Sequence, residues 1–252
     1  MIDAVANVFA GIGARGYFVR DIGRAASAPR TYGPEIIGQM RRMGVDSLPL
    51  VAAVAAFIGA VTAIQTRFQL LPGVELSVVG LITRQSIVLE LGPLLTALVL
   101  TGRVGARITA ELGTMRVTEQ IDALETLAYD PVAYLVVPRL IAAIVMVPLL
   151  TIFANSIGIG TAMLAAESAG VSFANFSEGL RLSFAPFQIF YSLLKATLFG
   201  TAIAFFCAYE GFFAAAGAQG VGRSTASAVV VTSVAILMLD ALTAMVLARY
   251  LI

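Results

Sequence analysis

Long apolar stretches alternate with short polar ones along most of this chain. Five of them approach the length of about 20 apolar residues that a helix needs to cross a bilayer. They lie near Leu48–Thr66, near Val78–Thr101, within Val132–Ala166, near Pro186–Cys207 and near Val229–Arg249. The pattern predicts an all-α, polytopic membrane protein with about five transmembrane helices, the second of which is kinked at Pro93.

The first 45 residues have a different pattern. Ile2, Val5, Phe9 and Ile12 recur at helical spacing, and arginines follow or are interspersed. A basic amphipathic helix of this kind lies in the interface of an anionic leaflet instead of crossing it. We therefore predict one domain over residues 1–252, with an interfacial or cytoplasmic part (1–45) and a transmembrane bundle (48–252). A disordered cytoplasmic tail is the alternative for the first part.

Composition supports the membrane assignment and narrows the chemistry. Of the 252 residues, 59% are hydrophobic and 12% are charged, against about 45–50% and 25% in soluble domains. The net charge of +1 gives no indication of a nucleic-acid partner. The chain has no His and one Cys, Cys207, which excludes Ser–His and Cys–His catalysis and HExxH zinc sites. We predict no catalytic residue and no metal site.

Two segments resemble nucleotide-binding motifs only superficially. GIGARG at Gly11–Gly16 fits GxGxxG, but no strand precedes it, and an isolated match is weak. GAQGVGRS at Gly217–Ser224 has Arg223 where a P-loop needs Lys, and it leads into a membrane span. If ATP drives this protein, a separate chain must hydrolyse it.

The distribution of basic residues predicts the orientation, because cytoplasmic loops are enriched in Lys and Arg. With the N-terminus inside, eleven arginines face the cytoplasm: Arg15, Arg20, Arg24, Arg30, Arg41, Arg42, Arg103, Arg107, Arg116, Arg139 and Arg223. Four face the opposite side: Arg67, Arg84, Arg181 and Arg249. The bias predicts a cytoplasmic N-terminus and a C-terminus outside.

The segment after the second span, from Arg103 to Asp130, is densely charged. Its apolar residues keep helical spacing: Val104, Ile108, Leu112, Val117, Ile121, Leu124 and Leu127. This predicts amphipathic helices outside the membrane, with the apolar side on the bundle and the charged side toward a partner. The candidate contact residues are Arg103, Arg107, Glu111, Arg116, Glu119, Asp122 and Glu125. A merely solvated loop explains the charges of this segment equally well.

The stretch from Glu90 to Glu125, ELGPLLTALVLTGRVGARITAELGTMRVTEQIDALE, resembles the cytoplasmic coupling region of the MlaE/YrbE family. Members of that family are permease subunits of ABC-type, MCE-associated lipid transporters. Further similar segments are Asp130–Pro131, Pro138–Arg139, Pro148–Leu150 and Gly222–Thr225.

The resemblance implies a non-catalytic permease that moves phospholipid between the bacterial inner membrane and a periplasmic MCE-type carrier. It also implies a homodimer whose cytoplasmic coupling helix docks on ABC ATPase subunits. The ATPase subunits would hold ATP and Mg²⁺, and this chain would bind no cofactor. An MCE-domain protein and, in some systems, a STAS-domain protein complete the expected assembly.

Three ionisable residues lie within predicted spans, where charges are costly and therefore suggest function. Lys195 is nine residues into span four from the outside, and Asp240 is eleven residues into span five from the inside. Their similar depth predicts a buried ion pair. Glu90 lies midway along span two, where it could line a cavity, meet lipid headgroups, or bond Gln65 or Arg84.

A lipid permease needs a tall apolar chamber. The candidate lining residues are Val54, Phe57, Ile58, Val61, Ile64 and Gln65 in span one, and Val88, Glu90, Leu91 and Leu95 in span two. One five-span subunit is too thin to enclose such a chamber, so we place it at a twofold axis between two copies. The alternative is that these side chains only pack helices or face lipid.

Two other classes of function compete with this interpretation. An ion-coupled secondary transporter of a hydrophobic substrate would be expected to contain inverted repeats and broken helices, and no repeat is visible. An intramembrane aspartyl enzyme needs a pair of Asp residues, whereas Asp240 alone lies well inside a span.

Overall fold

The structure, a computed structural model, describes the backbone of residues 2–26 and 29–247 and the side chains of 13–26 and 33–247. These parts are helical, without a strand. The helices are α1 (Ile2–Ala25), α2 (Pro29–Met43), α3 (Leu48–Gln69), α4 (Ser77–Gln85), α5 (Gly92–Leu100), α6 (Ala106–Val117), α7 (Gln120–Thr126), α8 (Val137–Ser168), α9 (Phe173–Arg181), α10 (Pro186–Phe212) and α11 (Ala218–Leu247).

Within the part of the chain that the structure describes, five helical runs are long and apolar enough to cross a membrane. They are Gly33–Gln69, Ser77–Val117, Val132–Ser168, Pro186–Phe212 and Ala218–Leu247. The predicted all-α, multi-pass architecture is therefore confirmed. The first run begins before the boundary predicted near residue 45, because α2 continues through a short 3₁₀ turn (Val45–Ser47) into α3. The predicted end of the fifth span, Arg249, lies outside the described residues.

The second run is irregular on either side of α5. A π-helical turn over Ser86–Leu91 joins α4 to α5, and another over Thr101–Gly105 joins α5 to α6. Pro93 has no N–H to donate to the carbonyl of Leu89, four residues earlier, so regular α-helical bonding cannot continue there. The irregularity predicted at Pro93 therefore takes the form of a π turn directly before it, a feature common at functional sites.

Helix α8 lies at the centre of the bundle and packs against α2, α3, α5 and α10. Its contact with α3 is close enough that a Cβ on Gly59 would lie 2.0 Å from the carbonyl oxygen of Gly158. Thr161 Oγ1 donates a hydrogen bond of 3.1 Å to the carbonyl of Ala56 at this crossing. Small residues thus bring the two backbones together, as is typical of helix pairs in membranes.

The N-terminal helix is docked on the end of α10. The Phe18 side chain is 2% exposed, and it lies among the rings of Phe205, Tyr209, Phe212 and Phe213. Arg15 adds an ion pair of 3.3 Å with Glu210. Among the described side chains, these aromatic contacts and the ion pair of Arg15 with Glu210 help to attach α1 to the transmembrane bundle.

The connection between the third and fourth spans contains a helix that the sequence pattern did not indicate. Helix α9 begins after Ser172, whose Oγ accepts a hydrogen bond of 3.3 Å from the Asn175 N–H. At its other end, Arg84 donates to the carbonyls of Leu180, Leu182 and Ser183 at 3.0, 3.1 and 3.3 Å. Arg84 therefore caps α9, at the end of the bundle opposite α6 and α7.

Candidate functional site

An apolar groove lies between α3, the π turn with α5, and α8. It is narrow, with a volume of about 10 Å³, and among the described residues that line it only Thr96 has a polar side chain. Four of the predicted pathway residues line it: Val54, Ile58, Leu91 and Leu95. The structure thus brings the predicted residues of spans one and two together at this groove.

The remaining predicted pathway residues do not line the groove. On α3, Phe57 is 73% exposed and Val61 is 59% exposed, and Gln65 is exposed beside them. Ile64 and Val88 are half-buried. The α3 face next to the groove is therefore uncovered in a single subunit.

Glu90 belongs to an ion triad inside the membrane-spanning region. Lys195 Nζ lies 2.5 Å from Glu90 Oε2 and 2.5 Å from Asp240 Oδ1. The Lys195 side chain has no exposed surface, whereas Asp240 is 18% and Glu90 45% exposed. The contact predicted between Lys195 and Asp240 is present, and Glu90 is bonded to Lys195 instead of to Gln65 or Arg84.

The irregular backbone of the second run provides a further ligand for Lys195. Its Nζ donates at 3.3 Å to the carbonyl oxygen of Leu89, the group that Pro93 cannot bond. The Tyr191 ring lies beneath the ammonium, with its centroid 5.1 Å from Nζ. Sequence reasoning missed this arrangement, although a proline four residues after Leu89 signals a free carbonyl within the span.

The predicted coupling segment consists of two parts. Helix α6 follows the second span through the π turn in one continuous helical run, whereas α7 is a separate short helix. Six of the seven candidate contact residues are exposed: Arg103, Arg107, Arg116, Glu119, Asp122 and Glu125. On the other side Ile108, Leu112 and Ile121 are buried, and α6 packs on α10 and α11.

The turn between α6 and α7 is held by local contacts. Arg116 Nη1 lies 2.6 Å from Asp122 Oδ1 across the turn. Glu119, which precedes α7, has a φ of 57°, in the left-handed region that glycine occupies without strain. The spacing assigned Leu127 to the buried side, but it is 68% exposed, because α7 ends at Thr126 and the chain turns at Ala128, whose φ is 60°.

The seventh candidate, Glu111, is half-buried and connects two helices. Its Oε1 lies 2.7 Å from Arg107 Nε, and its Oε2 lies 3.2 Å from Arg139 Nη2 in α8. Arg139 is 5% exposed and also donates to the carbonyl of Leu135. Sequence reasoning counted Arg139 only as a cytoplasmic charge, although its position just inside an apolar span was a signal that it needs a partner.

Comparison with known proteins identifies the family. The family described as Permease MlaE matches residues 36–246. A probable ABC transporter permease protein of Rickettsia prowazekii is 42% identical over 219 residues, which cover 83% of this chain and 81% of the relative. The intermembrane phospholipid transport system permease protein MlaE of Haemophilus influenzae is 30% identical over 240 residues, covering 94% and 91%.

A plant relative extends the range of organisms. The chloroplastic protein trigalactosyldiacylglycerol 1 of Arabidopsis thaliana is 34% identical over 205 residues, which cover 80% of this chain and 58% of the relative. The family match and the names of the Rickettsia and Haemophilus relatives describe a transporter permease, a subunit without a catalytic role. This chain belongs to the MlaE permease family and is a non-catalytic, multi-pass membrane subunit of an ABC-type transporter.

Proposed function

We propose that this subunit moves phospholipid between the bacterial inner membrane and a periplasmic MCE-type carrier. The observation that carries the proposal is the apolar groove between α3, α5 and α8, whose lining contains one hydroxyl and no charge. Such a surface suits acyl chains and offers nothing to a small polar solute. The name of the Haemophilus relative, a phospholipid transport permease, supports the same substrate class.

A second copy of the chain would complete the pathway. The uncovered face of α3 next to the groove carries Phe57, Val61 and Gln65, and a polar Gln65 is costly against lipid tails. A homodimer with twofold symmetry would bring two such faces together and enclose a chamber lined by both grooves. All predicted pathway residues on α3 would then border one space.

Helices α6 and α7 couple ATP hydrolysis by the partner ATPase to movement of this subunit. An ABC ATPase that holds ATP and Mg²⁺ docks on the exposed charges of this segment, while this chain binds neither. Movement of α6 is transmitted directly along the second helical run, and through the contact of Glu111 with Arg139 to α8. Both routes lead to helices that line the groove. An MCE-domain protein, with or without a STAS-domain protein on the ATPase, completes the assembly.

The charge bias of the loops supports a cytoplasmic N-terminus and a periplasmic C-terminus. A reporter that is active only outside the cytoplasm, fused after Ile252, should give signal. A silent reporter together with an active cytoplasmic one would reverse the orientation.

Substitutions in the groove test the lipid pathway. We expect Ile58→Trp and Leu91→Trp to abolish phospholipid transport by the complex in proteoliposomes, because each indole would block a groove that is already narrow. Leu164→Trp is the matched control, since Leu164 lies on α8 with 69% exposure and outside the groove. All three variants should retain the ATPase subunits.

Photocrosslinking locates the lipid independently of transport. A photoreactive side chain at position 58 should capture phospholipid more efficiently than one at position 199, where the native Phe199 is fully buried among protein side chains. Normal transport by both groove variants, with equal capture at the two positions, would refute this pathway.

A further inference from the structure

The triad of Glu90, Lys195 and Asp240 carries one more negative charge than positive charge. A lysine ammonium has three N–H donors. Here Nζ donates to Glu90 Oε2 at 2.5 Å and to the Leu89 carbonyl at 3.3 Å, and it forms an ion pair of 2.5 Å with Asp240 Oδ1. Within residues 13–26 and 33–247, no second cation forms an ion pair with either carboxylate. The triad therefore holds one cation for two carboxylates, and one carboxylate charge is not balanced.

The unbalanced charge is accessible at Glu90. The Lys195 side chain is fully buried and Asp240 is 18% exposed, whereas 45% of the Glu90 side chain is exposed. An exposed carboxylate within an apolar span is costly unless a positive group meets it. Glu90 lies on the π turn and directly precedes Leu91, which lines the groove. Glu90 itself points toward Lys195 in α10, and a positive group that reaches its exposed side would balance the excess charge.

We propose that Glu90 is a specificity-determining residue that binds the cationic amine of a zwitterionic phospholipid headgroup. The inference rests on the proposed phospholipid transport and names the lipid subclass. When an ammonium group binds at Glu90, its positive charge cancels the excess negative charge of the triad. An anionic headgroup without an amine would instead add a negative charge to a site that already has an excess of one. The site should therefore prefer phosphatidylethanolamine over phosphatidylglycerol.

Lipid binding by the intact complex tests this preference. The complex with its ATPase subunits is equilibrated in bilayers of equal phosphatidylethanolamine and phosphatidylglycerol, and bound lipid is quantified by native mass spectrometry. We expect wild type to be enriched in phosphatidylethanolamine. Glu90→Gln should lower the bound ratio of the two lipids about tenfold, because a hydrogen bond to a charged group is lost.

Asp240→Asn is a second test variant for the same measurement, and it leaves Glu90 in place. It removes the same excess charge, so it should also lower the ratio. Glu178→Gln, an exposed residue on α9, is the matched control and should leave the ratio unchanged. An equal ratio in wild type, Glu90→Gln and Asp240→Asn would overturn the inference while the bound phospholipid still supports the proposed function. A wild-type complex that binds no phospholipid would overturn both.

Discussion

Two ion clusters in this molecule have opposite compositions. Near α7, one carboxylate, Glu111, lies between two arginines, Arg107 and Arg139. In the middle of the bundle, one ammonium, Lys195, lies between two carboxylates, Glu90 and Asp240. The first cluster has an excess positive charge and the second an excess negative charge.

The surroundings give these excess charges different consequences. The Arg107 side chain is 48% exposed at an end of the bundle, where water or a partner protein can solvate its charge. Lys195 has no exposed surface, so its charge is stabilised by protein ligands alone. Because charge interactions strengthen as the dielectric falls, the same type of contact suits a reversible docking surface in one region and a fixed element of the bundle in the other.

Removing Lys195 should have the largest effect on stability. Lys195→Met leaves the largely buried Asp240 and the half-exposed Glu90 without a cation, and loss of one member of a buried ion pair costs about 3–5 kcal/mol. We expect a marked fall in yield and in the thermal unfolding midpoint of the purified subunit. Asp240→Leu alone should cost less, because Glu90 still pairs with Lys195.

The triad also changes the expected result of the double variant. Lys195→Met with Asp240→Leu should recover only part of the loss, since Glu90 stays unpaired. Adding Glu90→Gln should recover most of the remainder. Strictly additive losses across these three substitutions would mean that the side chains do not interact.

Glu111 should matter less for stability but more for coupling. Glu111→Gln weakens the contacts of Arg139, which is 5% exposed, so we expect a loss of about 1–3 kcal/mol in unfolding free energy. Arg107→Gln is the matched control, because an exposed i,i+4 pair contributes about 0.3–0.5 kcal/mol. Equal losses for the two variants would show that the contact with Arg139 contributes nothing.

Charge reversal separates docking from stability. Arg107→Glu with Glu111→Arg can preserve the local pair but inverts the surface offered to the ATPase. We expect less ATPase to co-purify, or ATP hydrolysis that no longer drives transport, while membrane insertion remains intact. Wild-type coupling in this folded double variant would exclude a contribution of these two charges to docking.

The two regions also differ in how far the sequence predicted them. The membrane-spanning runs could be predicted from the length of the apolar stretches, because the thickness of the hydrocarbon core sets the length that a spanning helix needs. The contact of Lys195 with Asp240 could be predicted because the two residues lie at a similar depth in their spans. Glu90 was not assigned to them because the π turn over Ser86–Leu91 changes the direction in which its side chain points relative to a regular helix. At the other cluster, Arg139 looked like a loop charge, because the sequence does not show that Glu111 of α6 lies within ion-pair distance of it.

The smallest expected change in stability is a gain instead of a loss, and it concerns Glu119. With a φ of 57°, this residue occupies a conformation that costs a non-glycine residue about 1–2 kcal/mol. Glu119→Gly relieves that strain but gives the unfolded chain more freedom, so we expect a net stabilisation of about 0.5–1 kcal/mol.

Glu119→Ala is the matched control, because it removes the same charge and keeps the strain. In a chain of this size the glycine variant should unfold about 1–4 °C above the alanine variant. Such a difference would mean that the backbone at Glu119, in the turn between α6 and α7, is strained. This turn is separate from the triad of Glu90, Lys195 and Asp240, so combining Glu119→Gly with Asp240→Leu should give additive changes in stability. Equal midpoints for the glycine and alanine variants would show that the left-handed turn at Glu119 is not strained, and that α7 is oriented by the contact of Arg116 with Asp122 alone.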